Sequence, residues 1–168
     1  MARDRIVYTS MPTEFGRLWL AATERGLCRI GFDQSEETFV NDLKDWYAVG
    51  PLPDAGALAE ARRQLGEYLA GRREVFSLEL DLDDLTDFQR KALAACAAIP
   101  YGMMATYTDL ARQVGRPGAA RAVGTAMARN PIPFIIPCHR VVRSDGTLGG
   151  YGGGLSVKER LLALEGAK

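Results

Sequence analysis

The sequence has little of the chemistry that builds metal centres or disulfide frameworks. Its 168 residues contain one histidine and three cysteines, at positions 28, 96 and 138, and the cysteines form no CxxC pair. One imidazole and three scattered thiols have neither metal-ligand spacing nor an even set of disulfide partners. We therefore expect no bound metal and reduced thiols, as in a cytoplasmic protein.

Long apolar runs are also missing. No stretch reaches the roughly 18 apolar residues that a membrane helix needs, and the segment MARDRIVYTS lacks the apolar core of a secretory signal. The sequence therefore predicts no membrane contact. Its length suits one or two small domains with a real core.

Net charge is absent from the whole chain but not from its halves. Residues 1–85 carry 10 Lys/Arg and 16 Asp/Glu, net −6, whereas residues 86–168 carry 11 and 5, net +6. This split indicates that only the second half contacts nucleic acid. Solvated surface charge would also produce such a split.

The first half alternates between strand and helix patterns. We predict strands at 18–22 and 27–32, joined by a turn that ends at Gly26, and a further strand at 76–82 with strict alternation. Apolar residues from 58 to 69 fall at helical spacing. The half reads as a small α/β domain with a short antiparallel sheet, and nothing in it indicates catalysis.

The second half is helical. Thr86 with Gln89 predicts the capping box of one helix, and Thr106 with Asp109 that of a second helix, which Gly115 ends. A third helix is predicted to carry Pro117 in its first turn and to bury the stripe of residues 119, 122, 123, 126 and 127. Two short helices around a glycine-containing turn are typical of a helix-turn-helix unit, although helical hairpins without DNA are commoner.

The outward face of the third helix favours nucleic-acid contact. It carries small residues around one arginine, Arg121, so its backbone can approach a groove closely. The segment VVRSDGTL predicts a hairpin at Asp145-Gly146 that would serve as a wing. A last helix is predicted to open at Ser156.

The single histidine follows a cysteine directly, in the segment IPCHRVV. A thiol titrates near pH 8.5 and needs a base to become a nucleophile at neutral pH, and His139 is the available imidazole. On an extended segment adjacent side chains point apart, so we expect one water between Cys138 and His139. An isolated Cys-His pair is more often structural, and a papain-like hydrolase takes its cysteine and histidine from distant segments.

The sequence resembles the methylated-DNA–protein-cysteine methyltransferases, also called O6-alkylguanine-DNA alkyltransferases. The resemblance rests on PCHRV at 137–141, with TDFQ, IPYG, TYTDLA and GAARAVGTAM before it and GYGGGL and KERLLALEG after it. It implies an α+β fold: a ribonuclease H-like α/β domain over 1–82 and a winged helix-turn-helix domain over 86–168.

The resemblance implies direct-reversal DNA repair without a cofactor. An alkyl group would pass irreversibly from O6 of guanine, and secondarily from O4 of thymine, to the cysteine in a single turnover. The substrate would be double-stranded DNA bound through its minor groove, with the alkylated base flipped out. The protein would act as a monomer without an obligatory protein partner.

Residue roles are also implied by the resemblance. Cys138 would accept the alkyl group, His139 would deprotonate it through water, and Glu159 would orient His139; Ser156 and Glu159 also fit a capping box. Asn130 would brace the turn before the cysteine, and Tyr107 would donate its hydroxyl to the guanine.

Arg121 would enter the base stack in place of the flipped guanine, or else contact a phosphate. Further predicted DNA contacts are Ala120, Gly124, Thr125 and Arg140. The predicted alkylguanine pocket comprises Tyr107, Met127, Val141, Tyr151, Gly152 and Gly153.

Two other functions compete with this interpretation. Lesion-binding relatives of the family signal without transferring the alkyl group, but they lack the acceptor cysteine that this chain has at Cys138. A winged-helix transcription factor with an incidental cysteine would leave the cysteine, histidine and glutamate set unexplained.

Overall fold

The computed structural model describes residues 5–151 and 154–167. The chain divides into two compact units, Met1–Asp83 and Asp84–Lys168. No helix in the described part of the chain is long and apolar enough to cross a membrane. Gly152 and Gly153, both predicted to line the pocket, lie outside the described residues.

The first unit is built on a four-stranded sheet. Its strands are β1 (Ile6–Thr13), β2 (Gly16–Thr23), β3 (Gly26–Phe32) and β4 (Leu52–Pro53), in the order β3-β2-β1-β4. The strands predicted at 18–22 and 27–32 are confirmed within β2 and β3, while β1 and β4 were not predicted. The first three strands form the short antiparallel sheet expected from the sequence, and β4 adds to it in parallel beside β1, so the sheet is mixed.

Two helices complete this unit. Helix α1 (Glu36–Tyr47), which the sequence did not predict, begins after Ser35, whose side chain accepts a hydrogen bond from the backbone of Thr38. Helix α2 (Ala59–Leu69) confirms the helical spacing noted there. The sheet and α1 share an aromatic core, in which the rings of Trp19 and Phe39 stack with centroids 5.9 Å apart.

The strand predicted at 76–82 is wrong. Only one bridge forms there, between Leu27 and Leu80, flanked by the backbone bonds Leu27 N–Glu79 O (2.9 Å) and Asp81 N–Leu27 O (2.8 Å). Upstream, the Gln64 side chain takes the place of a neighbouring strand, since its Oε1 accepts from Ser77 N at 2.9 Å. A side chain and a single bridge satisfy the backbone that the prediction assigned to a ladder.

The second unit is mainly helical. Its elements are α3 (Asp87–Ala97), β5 (Ala105–Thr106), α4 (Tyr107–Gln113), α5 (Ala120–Ala128), β6 (Val141–Val142) and α6 (Leu155–Leu164). Both predicted capping boxes are present, at Thr86 and Thr106. Gly115, with φ +78°, follows the last residues of α4 as predicted, and α4 with α5 forms the helix-turn-helix pair.

Three local predictions in this unit need correction. Helix α5 begins at Ala120 and not near Pro117, and Ala122 is exposed rather than part of the buried stripe. Helix α6 begins at Leu155 after Gly154, with no side-chain cap, so the capping box of Ser156 with Glu159 does not form.

The predicted wing is reduced to a turn. Arg143 N donates to Thr147 O at 2.9 Å, and Gly146 adopts φ +87°, so the chain does reverse at Asp145-Gly146. Within the described residues, however, β6 pairs only with β5, in parallel, and no second strand follows the turn. The turn therefore stands without a hairpin ladder.

Candidate active site

Residues 130–137, which follow α5, place Cys138 in the interior of the second unit. Asn130 closes this segment on itself: its Nδ2 donates to Ile136 O at 2.8 Å, and its Oδ1 accepts from Ile132 N at 3.0 Å. Phe134, which lies between Ile132 and Ile136 in sequence, is buried and has a backbone φ of +73°. A bulky residue adopts this left-handed conformation only when its surroundings impose it. The backbone in front of the cysteine is therefore tightly specified.

Cys138 and His139 do not lie on an extended strand, as the sequence suggested. Cys138–Arg140 form one 3₁₀ turn, closed by Arg140 N–Pro137 O at 2.9 Å. In such a turn neighbouring side chains point about 120° apart, so three consecutive residues face three directions. All three side chains are buried, and His139 is 0 % exposed.

The carboxylate beside the histidine is Glu165. His139 Nε2 lies 2.8 Å from Glu165 Oε2, and both side chains are buried. The prediction that Glu159 orients His139 is wrong, because Glu159 lies exposed on α6. Successive helical residues are rotated by about 100°, and Glu165 continues the inward stripe of Lys158, Leu161 and Leu162, whereas Glu159 does not.

Arg140 holds this carboxylate from a second side. Its Nε donates to Glu165 Oε1 at 2.8 Å, its Nη2 to Oε2 at 3.0 Å, and its Nη1 to Ile99 O at 2.7 Å. The predicted DNA contact of Arg140 is therefore wrong, since its guanidinium is buried and committed to these acceptors. Because the guanidinium carries only donors, both Glu165 oxygens act as acceptors, which assigns the Nε2–H tautomer to His139.

Burial opposes charge on both Cys138 and His139. It raises the pKa of the Cys138 thiol above its ordinary value, although a hydrogen bond from the Asn130 side chain and the positive charge of Lys158 act in the opposite direction. It also lowers the pKa of His139, against the effect of Glu165. The resting site thus pairs a neutral thiol with a neutral imidazole, and thiolate formation requires proton transfer to a base.

Lys158 is a buried cation that the sequence analysis missed. Its side chain is 0 % exposed, and Nζ donates to Val141 O at 2.7 Å, to Gly150 O at 3.4 Å and to Leu148 O. Burial lowers its pKa to about 8, against the raising effect of Cys138. A lysine on the apolar stripe of a helix, at Lys158 before Leu161 and Leu162, was the available signal. Through these three bonds the Lys158 ammonium connects β6 to the segment at 148–150.

A cavity of about 450 Å³ opens beside the thiol, a size typical of small-ligand sites. It is lined by Tyr107, Gly124, Met127, Ala128, Cys138, Arg143, Gly149, Gly150 and Tyr151. Three of the predicted pocket residues, Tyr107, Met127 and Tyr151, are therefore brought together with the cysteine. Val141 is not among the described lining residues; it is fully buried in β6.

Two tyrosines shape the cavity. Tyr107 is the first residue of α4, and burial raises its pKa. Gly149 adopts φ +74° against it, and a Cβ there would lie 2.9 Å from the Tyr107 hydroxyl, so only glycine permits this approach. Burial raises the pKa of Tyr151 well above its usual value, and its hydroxyl has no hydrogen-bond partner among the described residues.

The predicted DNA-contacting residues of α5 share one surface. Arg121 and Thr125 are exposed, Ala120 and Gly124 are half-buried, and the opposite face packs Val123, Ala126 and Met127 into the core. The Thr125 hydroxyl is turned back on its own helix, donating to Arg121 O at 3.2 Å. Arg121 thus projects from a surface of small side chains.

Two family models match the chain in succession. The ribonuclease-like domain of 6-O-methylguanine DNA methyltransferase matches residues 6–82, and the DNA binding domain of the same family matches residues 87–167. The chain belongs to the 6-O-methylguanine DNA methyltransferase family. The family and the fold class expected from the sequence are confirmed.

Individual relatives agree with the family match. A methylated-DNA–protein-cysteine methyltransferase of Mycobacterium tuberculosis is 42% identical over 160 residues, which is 95% of this chain and 92% of the relative. A constitutive one of Bacillus subtilis is 41% identical over 159 residues, 94% of each chain. The crystal structure of M. tuberculosis OGT in complex with DNA matches with TM-score 0.83 and 41% identity, covering 96% of this chain and 93% of that one.

Family membership gives the chain its activity: DNA repair by transfer of an alkyl group from O6-methylguanine to a cysteine.

The buried lysine yields a pH-dependent stability. Between about pH 8 and its ordinary pKa of 10.5 the unfolded chain holds a proton that folded Lys158 has lost, so this group's contribution to stability rises with pH in that window. We predict that the free energy of unfolding of the wild type, minus that of Lys158→Met, increases by about 2 kcal/mol from pH 8 to 10.5 in urea titrations.

Lys91→Met is the matched control, because Lys91 is exposed on α3. Its difference from the wild type should stay flat over the same range. A flat difference for Lys158→Met as well would show that Lys158 titrates as an exposed lysine.

Proposed function

We propose that Cys138 accepts the alkyl group and that His139, oriented by Glu165, is the base that activates it. The observation that carries this proposal is the 2.8 Å bond between His139 Nε2 and Glu165 Oε2, next to a thiol that lines the cavity. With Nε2 donating to the carboxylate, Nδ1 is the nitrogen that bears the lone pair. It receives the thiol proton, directly or through a water.

The reaction is a single displacement. The Cys138 thiolate gives an electron pair to the alkyl carbon, the S–C bond forms, and the C–O6 bond breaks with its electrons left on guanine. The guanine takes up one proton, so the balance is a thiol and an alkylated base converted into a thioether and an ordinary guanine. No cofactor takes part, and the thioether is stable, so each molecule reacts once.

The cavity receives the flipped base. A thiol that is 7 % exposed is not reached by O6 of a guanine stacked inside a duplex, so the nucleotide has to leave the helix. Tyr107 and Tyr151 both line the cavity, and the partner-free Tyr151 hydroxyl offers the base a polar contact. Tyr107 donates its hydroxyl to the guanine as negative charge develops there; its raised pKa keeps it protonated.

Helix α5 brings double-stranded DNA to the cavity. Gly124 and Met127, on α5, line the cavity, and Arg121 projects from the same helix. The small residues around it allow α5 to enter the minor groove, where Arg121 fills the space of the flipped guanine. The M. tuberculosis relative was solved in complex with DNA, which supports duplex DNA as the partner.

The proposal also covers the oligomeric state and the cellular compartment of the protein. The protein acts as a monomer on DNA, without an obligatory protein partner, in the cytoplasm. The three cysteines are free and buried, in keeping with a reducing compartment. The alternative of a lesion-binding protein without transfer is disfavoured because the acceptor, Cys138, is present in the cavity.

Replacing Glu165 or Glu159 by glutamine, one at a time, tests which glutamate orients His139. Glu165→Gln should lower the single-turnover rate constant on an O6-methylguanine duplex by about 10- to 100-fold, because an amide orients the imidazole less well and does not stabilise the imidazolium. The matched control, Glu159→Gln, should react at the wild-type rate. Stopped reactions analysed by intact mass give both constants, and duplex affinity confirms that the variants remain folded.

The pH profile distinguishes a kinetic role from a structural one. Burial lowers the pKa of His139 while Glu165 raises it, so the acid limb of the rate profile should move to lower pH in Glu165→Gln. Equal rates for both glutamine variants, or a loss in Glu159→Gln alone, would contradict the assignment to Glu165.

A single-stranded substrate, in which the base does not have to be flipped out of a duplex, tests the proposed role of Arg121. Arg121→Ala should slow transfer about tenfold from a duplex but much less from a single-stranded oligonucleotide with the same lesion, because no stacked position needs filling there. Arg121→Lys separates the alternative: a phosphate contact predicts equal losses on both substrates and rescue by lysine.

A further inference from the structure

We propose that Arg143 makes the cavity selective for O6 adducts that end in an anionic group, such as carboxymethyl. This inference rests on the proposed function, in which the flipped base enters the cavity. The sequence analysis gave Arg143 no role, and the reaction described above does not use it.

The fold holds Arg143 at the cavity. The residue follows β6 directly and lines the cavity together with Cys138, yet its side chain is exposed, which places it where the cavity meets solvent. Its backbone is fixed at both ends of the turn: its N donates to Thr147 O at 2.9 Å, and its carbonyl accepts from Gly146 N at 3.0 Å.

Arg143 is also the cavity's one formally charged group at neutral pH among the nine described lining residues. Asp145, in the same turn, does not neutralise it by contact, because its Oδ1 accepts from Thr147 N at 2.9 Å and from Thr147 Oγ1 at 2.7 Å. No carboxylate in residues 5–151 and 154–167 forms an ion pair or hydrogen bond with the Arg143 guanidinium. The pKa of Asp145 is lowered mainly by its bonds to Thr147 and to a smaller extent by the charge of Arg143, so this carboxylate lies near the guanidinium without being bonded to it.

The positive charge of Arg143 would reduce the repulsion between an anionic adduct and the Cys138 thiolate. A carboxylate on the adduct would meet the negative charge that forms on Cys138, and like charges in a poorly solvated site repel strongly. A guanidinium binds a carboxylate through two parallel hydrogen bonds and lowers that repulsion. A methyl adduct has no group that this guanidinium could bind.

The cavity also has room for such an adduct. Its wall is made partly of Gly124, Ala128, Gly149 and Gly150, and a Cβ at Gly150 would meet nothing within 4 Å among the described residues. With a volume of about 450 Å³, the cavity can hold an adduct larger than methyl.

The proposed step balances as for methyl. Sulfur bonds to the methylene carbon of the O–CH2–COO⁻ group, the bond from that carbon to O6 breaks, and guanine keeps the electron pair. The thiol proton ends on guanine, and the product is S-carboxymethylcysteine at position 138. No oxidant or further reactant is needed.

The test compares two adducts of nearly the same shape, one anionic and one neutral. Single-turnover rate constants are measured on duplexes with O6-carboxymethylguanine and O6-carbamoylmethylguanine, its neutral isostere, beside O6-methylguanine. Arg143→Gln should lower the carboxymethyl-to-carbamoylmethyl ratio by about tenfold, and Arg143→Lys should retain part of it. Arg112→Gln, which removes an exposed arginine on α4, should leave the ratio unchanged.

Each outcome decides the proposal. An unchanged ratio in Arg143→Gln overturns it, and so does an equal loss on all three duplexes with a reduced salt dependence, which would mark Arg143 as a phosphate contact. Failure of the wild type to react with O6-methylguanine would instead contradict the proposed function. Reaction of Arg143→Gln with the neutral adducts shows that the variant is folded.

Discussion

The buried carboxylate of Glu165 connects three separate segments of the second unit through hydrogen bonds. It accepts from His139 on one side and from Arg140 on the other, and Arg140 reaches on to the carbonyl of Ile99. One interaction thus joins the end of α6, the turn that carries the cysteine and the chain that follows α3. Removal of Glu165 or of Arg140 would leave the buried charge of the other uncompensated, which is far more costly than losing an exposed ion pair.

In the proposed reaction, the same network activates a thiol in an apolar site. Burial alone would keep Cys138 protonated, and it also keeps His139 neutral. A neutral imidazole with one nitrogen committed to Glu165 is a base at the other, and it becomes an ion pair with the carboxylate as it takes the thiol proton. Lys158, whose charge lowers the thiol pKa, adds a positive field from the same inward stripe of α6. In this proposal the thiol of Cys138 is protonated at rest and forms a thiolate only when His139 takes its proton.

Sequence reasoning succeeded where the signal is local. The capping boxes at Thr86 and Thr106 and the glycine after α4 follow from hydrogen bonds within four residues, and all three were found. The choice between Glu159 and Glu165 depends on which face of α6 turns inward. The pattern of Lys158, Leu161, Leu162 and Glu165 contained that answer, but a lysine in the stripe obscured it. The ladder expected at 76–82 failed because a side chain, Gln64, replaced a strand.

The central claim is that His139 rests as a neutral imidazole with its proton on Nε2, held there by Glu165. Because the chain has one histidine, ¹⁵N chemical shifts of the labelled imidazole report on this residue without ambiguity. At pH 7 the account predicts a protonated, pyrrole-like Nε2 and an unprotonated Nδ1, with no imidazolium until the pH falls below the ordinary histidine pKa. A proton on Nδ1, or an imidazolium at neutral pH, would contradict it.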